Sequence, residues 1–190
     1  MPTLQAFFQG PLDLPAFSRW LDSLNAEARI AAARGLSGRQ QAVLFEAAQG
    51  FRPITLDHFV PPAIGLNQQV IHYGRNSLPA FSAFEKRFVR PAKDAAALWG
   101  YNEGSARPLL GPGYFLAVPQ GAGEVLVDYS QLPPQAAAGW PAIKPNSAGL
   151  SRFVFHNLSD VLRGVSTHVS VGRAARKGKP MDSWFVLARG

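Results

Sequence analysis

Apolar residues recur at helical spacing through the first fifty positions. Leu14, Phe17, Leu21 and Leu24 stand at i, i+3, i+7 and i+10, which lines one side of a helix. Pro15 falls in the first turn of that helix, where a missing N–H is harmless. Asn25 is placed to cap a second helix over residues 26–34, and Gly35 to end it. Ser37 and Gln40 have capping-box spacing and open a further helix that stops by Gly50. The pattern predicts two or three short helices whose apolar sides pack on the protein's own core.

Beyond Gly50 the period shortens. Residues 51–65 hold Pro53, Pro61 and Pro62 and read as an extended connection. Residues 68–75 read as a strand, ended by the turn formers Asn76, Ser77 and Pro79. Residues 80–90 fit two patterns. Phe81, Phe84 and Phe88 have helical spacing, whereas Phe84, Lys86, Phe88 and Arg90 alternate as in a strand. The strand is preferred and the helix stays open. Residues 98–101 form the next strand, before a Gly/Pro-rich loop over 104–113. Residues 114–118 and 124–130 flank PQGAG as a hairpin, with Val125, Val127 and Tyr129 on one face. After an irregular, proline-rich stretch (132–149), residues 152–156, 167–174 and 183–189 read as strands. A basic turn over 175–180 joins the last two.

Seven or eight strands in sequence, with no clear helix between them, predict a mainly β (α+β) fold. The architecture is an antiparallel up-and-down β-barrel or strongly curved sheet behind a helical N-terminal segment. Residues 1–190 form a single domain, with 1–50 packed on a β-rich body over 66–190. Closure into a barrel would hide the sheet edges.

Composition narrows the chemistry. Thirteen Phe, four Tyr and four Trp supply a large core, while eighteen glycines and sixteen prolines imply many turns. The absence of cysteine excludes disulfides, thiolate nucleophiles and Cys-bearing zinc sites. No basic region precedes the short apolar start and no run approaches the ~20 apolar residues of a membrane span, so a cytoplasmic protein is expected. The net charge of +7 attracts polyanions. Its densest patch is residues 173–179, with Arg163 upstream, but no aromatics interleave the charges there. A solvated hairpin turn explains the patch better, leaving nucleic acid a possible but not favoured partner.

No phosphate-binding loop, dinucleotide fingerprint or G-x-S-x-G elbow is present. The histidines are His58, His72, His156 and His168; none is spaced as a metal pair, so no metal ligand is assigned. His156 shares a face with Arg152 and Val154 if 152–156 is a strand, and Asp160 is placed to orient its ring. The competing account is a strand end with an Asx turn. His72 shares a face with Val70, and Tyr73 with Arg75, so either His72 or Tyr73 points inward. The candidate ligand-binding residues are His72, Tyr73, Phe115, Tyr129, Arg152, Phe155, His156 and Trp184. His156 and His72 are the candidate catalytic bases.

The order of elements over residues 68–189 resembles that of lipocalin-like (calycin) barrels: an up-and-down meander, an aromatic interior and a closing hairpin. The resemblance is architectural. The family's Gly-x-Trp signature is absent, and Trp99-Gly100 and Gly139-Trp140 do not reproduce it. The likeness implies a barrel interior that holds a small, hydrophobic or amphipathic molecule. Two alternatives remain: an enzyme using a histidine base in the same cavity, and a polyanion-binding module. Cofactor and oligomeric state are not assigned.

Overall fold

The computed structural model describes residues 2–93 and 96–190. After a 3-10 turn at Leu4–Phe8 come three helices, α1 (Leu14–Ser23), α2 (Ala26–Arg34) and α3 (Gly38–Ala47). Each begins on a side-chain cap. Ala16 N donates to Asp13 Oδ1 at 2.9 Å, Ala28 N to Asn25 Oδ1 at 2.8 Å and Gln40 N to Ser37 Oγ at 3.3 Å. Ser37 N donates in return to Gln40 Oε1, completing the capping box.

Eight strands follow: β1 (Val70–Asn76), β2 (Ala83–Val89), β3 (Leu98–Glu103), β4 (Phe115–Gln120), β5 (Glu124–Asp128), β6 (Leu158–Gly164), β7 (Val169–Arg176) and β8 (Lys179–Arg189). Each pairs antiparallel with the next, and β8 pairs back onto β1, so the sheet is a closed up-and-down barrel. Three single-turn helices sit in the connections: α4 (Leu56–Phe59) before β1, α5 (Arg107–Leu110) between β3 and β4, and α6 (Ser151–Val154) between β5 and β6. The ambiguous residues 80–90 hold a strand, β2.

Two local expectations need correction. Residues 51–65 are not simply extended, because Thr55 Oγ1 caps α4 and its Leu56 and Phe59 are buried. Residues 152–156 do not form a strand either. They span α6 and a turn closed by Asn157 in the left-handed region (φ 54), and the strand begins only at Leu158. The alternating Phe153 and Phe155 imitate a strand. In β6 it is Asp160 and Leu162 that point inward, and an inward aspartate disguises the strand as a turn.

The core has two parts. Inside the barrel lie Val70, Phe88, Leu98, Phe115, Val125, Val127, Leu162, Phe185 and Leu187. Outside it, α1–α3 and the α2–α3 connection lay Phe17, Leu21, Leu36 and Leu44 against Val169, Val171, Val186 and Ala188, the outward residues of β7 and β8. The helices therefore cover the seam where the first and last strands meet. Arg34 of α2 ties the layer to the adjoining strands, donating to the carbonyls of Gly74 on β1 at 3.3 Å and Phe84 on β2 at 3.2 Å.

Two glycines let aromatic rings lie flat on the inner wall. Gly100 faces Phe115 and Gly172 faces Phe185 across neighbouring strands. A Cβ on either glycine would come within 2.2 Å of the opposing ring.

Candidate functional site

One end of the barrel is plugged and the other is open. At the plugged end α4 lies across the strands. The Phe59 ring packs on Phe88 and His72, and His72 Nε2 lies 3.0 Å from the Phe59 carbonyl, which only an Nε2–H can satisfy. Arg189 donates to the His58 carbonyl at 2.6 Å and Arg90 to the Val60 carbonyl at 2.8 Å, fixing both ends of the plug. Burial lowers the His72 pKa to about 3 and that of His58 well below the usual histidine value. Both rings are therefore neutral near neutral pH.

The open end holds a cavity of about 470 Å³. Phe84, Phe155, Phe185, Leu110 and Leu158 contribute its apolar walls. Leu78, Phe81 and Phe153 stand exposed at its mouth. Alternation along four strands brings polar side chains to its floor: Lys86 from β2, Asn102 from β3, Tyr129 from the end of β5 and Asp160 from β6.

These four form one network. Lys86 Nζ lies 3.1 Å from Asp160 Oδ2, both side chains being almost wholly buried. The ammonium also donates to Asn102 Oδ1 at 3.0 Å and to Tyr129 Oη. Tyr129 Oη donates to Asp160 Oδ2 at 3.2 Å, and Asn102 Nδ2 is held by the Gly113 carbonyl at 2.9 Å. Aromatic rings enclose the ammonium, with the centroids of Phe115 at 4.8 Å, Tyr129 at 4.9 Å and Phe185 at 5.2 Å. Burial pulls the Lys86 pKa down and the Asp160 pKa up, and each charge opposes the shift of the other. Burial also raises Tyr129 well above the usual phenol value, so its hydroxyl keeps its proton.

Of the candidate residues named from sequence, Tyr129 and Phe155 line the cavity. Phe115 is in the barrel interior beneath Lys86. His72 points inward but belongs to the plugged end. Tyr73 points outward, its ring under the Arg34 guanidinium at 5.3 Å, and Trp184 packs with the outer helices and Arg173. Arg152 and His156 are exposed and do not line the cavity, because the strand expected to carry them inward is α6 and its turn. Neither proposed histidine base therefore reaches the open cup.

Sequence reasoning did not assign Lys86 or Asn102 to a site, and it cast Asp160 only as a partner for His156. The alternation of Phe84, Lys86 and Phe88 did signal an inward lysine. Among the described residues, no three acidic or histidine side chains converge as a cation ligand set, and no helix is long and apolar enough to cross a membrane. Set against family models, curated proteins and solved structures, the chain matches none of them.

Proposed function

We propose that the protein binds a small amphipathic molecule in the open cup, in the manner of a lipocalin-like barrel. The apolar body of the molecule lies against Phe84, Phe155 and Phe185, and its polar end reaches the network of Lys86, Asp160, Tyr129 and Asn102. The observation that carries this reading is a buried ion pair at the floor of an apolar cavity that stays open above it. An ion pair kept for stability alone is a poor bargain against apolar packing, and a barrel of eight strands can close its interior with side chains. A volume of about 470 Å³ also falls in the range of small-molecule sites.

The alternative readings draw less support. Catalysis in the cup would fall to Tyr129, Lys86 and Asp160, because His72 is sealed beneath α4 and His156 lies outside. The arginines of the basic hairpin are engaged internally. Arg176 donates to the carbonyls of Phe153, Val154 and His156, and Arg173 to the Met181 carbonyl. Of the patch, Lys177 and Lys179 stand exposed at the hairpin turn, a small cationic site for a polyanion.

Native mass spectrometry of the purified protein, with organic extraction, tests the reading. A stoichiometric amphipathic molecule is expected. A bare polypeptide that also takes up no aromatic or aliphatic probe would end it.

A further inference from the structure

The floor of the cup is electrically complete before any ligand arrives. Lys86 and Asp160 bring one charge of each sign to within 3.1 Å, with side chains only 2% and 4% exposed. Passing the proton from one to the other leaves the sum at zero. Three oxygens, from Asn102, Tyr129 and Asp160, already surround the ammonium and match its three protons in number. Asn102 Nδ2 is committed to the Gly113 carbonyl and lies 3.2 Å from Tyr129 Oη.

What remains is an acceptor. Asp160 Oδ2 takes both the Tyr129 hydroxyl and the ammonium, whereas no group among the described residues donates to Oδ1. Asp160 lines the cavity, and Oδ1 is not among the buried atoms left without a partner. It is therefore the polar atom of the floor that a ligand can still satisfy.

We infer that the cup selects neutral amphipathic molecules bearing a hydroxyl group, which donates to Asp160 Oδ1, and rejects carboxylates of the same shape. The inference rests on the ligand-binding reading above and specifies its class. A carboxylate would be a second anion beside Asp160, sharing one lysine in a site with little water to screen it. An ammonium would repel Lys86 by the same argument. An alcohol adds no charge and supplies the one donor the floor lacks. The guanidiniums lining the mouth do not alter this balance. Arg107 is paired with Glu103 at 2.6 Å, and Arg176, which keeps its charge while donating to main-chain carbonyls, is offset by the carboxylate of Asp182 on the same lining.

The test uses the full chain near neutral pH and three probes of one shape: naphthalen-2-ylmethanol, 2-naphthoate and naphthalen-2-ylmethylammonium. Binding is read by probe fluorescence and calorimetry. The alcohol is expected to bind about tenfold or more tighter than either ion. Asp160→Asn leaves Lys86 without its counter-charge and should move the preference to naphthoate. Lys86→Met leaves Asp160 alone and should move it to the ammonium.

The wild-type ranking decides the matter even where a variant fails to fold. Naphthoate binding as tightly as the alcohol would overturn the inference while leaving a ligand-binding cup. An unchanged alcohol preference in folded Asp160→Asn would also overturn it, since the walls would then be making the choice. Failure of all three probes would overturn both this inference and the reading on which it rests.

Discussion

Lys86 and Asp160 meet across the full width of the barrel. Their strands, β2 and β6, lie four places apart in a ring of eight, so this contact at 3.1 Å joins opposite walls. A pair in that position is a cross-brace as well as a polar floor. Removing one partner strands the other in a dry site, and Lys86→Met or Asp160→Leu should each cost about 3–5 kcal/mol. The double variant should cost much less than the sum, because no orphaned charge remains. Urea unfolding of the three variants measures the coupling, and strict additivity would show that the two groups do not depend on each other.

Acid should weaken the plugged end first. The folded state holds His72 neutral, with its pKa lowered from 6.5 to about 3, and His58 is shifted in the same direction. In the unfolded chain both rings take up a proton as the pH falls through about 6.5, so the unfolded state binds more protons in that window. Their contribution is complete above about pH 6.5 and is lost as the pH falls, for His72 down to about 3. The slope is up to about 1.4 kcal/mol per pH unit for each ring. Denaturation midpoints across this range should show the decline, and His72→Phe should flatten it. An identical acid limb in that variant would remove His72 from the explanation.

Filling the cup should separate binding from folding. Ala174 of β7 is a small residue in the cavity wall. Ala174→Phe places a ring in the space, lowering probe affinity about tenfold or more for an overpacking cost of about 1–3 kcal/mol. Near-ultraviolet circular dichroism alongside probe titration checks both halves. Undiminished affinity in a folded variant would move the binding site elsewhere.

The helical layer has its own keystone. Phe17 is fully buried, with the rings of Phe7 at 5.3 Å, Phe8 at 5.5 Å and Trp20 at 5.7 Å. Phe17→Ala should cost about 3–5 kcal/mol through the cavity it opens. Tryptophan emission should move to longer wavelength as Trp20 becomes wetter. Little loss on either measure would mean that the helices contribute weakly to the folded state.

The parts legible in the sequence are those specified by neighbouring residues. Asn25, Ser37 and Gln40 announce their helices because a cap is a contact over three positions. The meander is legible because consecutive strands pair, and Val125, Val127 and Tyr129 show their inward face by alternation alone. The floor of the cup was not legible as a site. Lys86 and Asp160 belong to strands that touch only through the barrel's interior, and no spacing rule links them. The displacement of His156 has a local cause, since Phe153 and Phe155 alternate like a strand while forming a single helical turn. His72 did point inward as one of two alternatives. Its neutral, sealed state depends on α4, which lay hidden among prolines.

The seam between β1 and β8 bears on how the chain comes to fold. The helices emerge from the ribosome before the strands, yet the surface they cover includes Val186 and Ala188 of β8. Until β8 has been made, Phe17, Leu21 and Leu44 have no finished surface to rest on, and β1 lacks one of its two partners. Barrel closure and helix docking thus become a single late event. During synthesis the N-terminal segment is a sticky amphipathic arm, and a chaperone that shields it would act before the barrel exists.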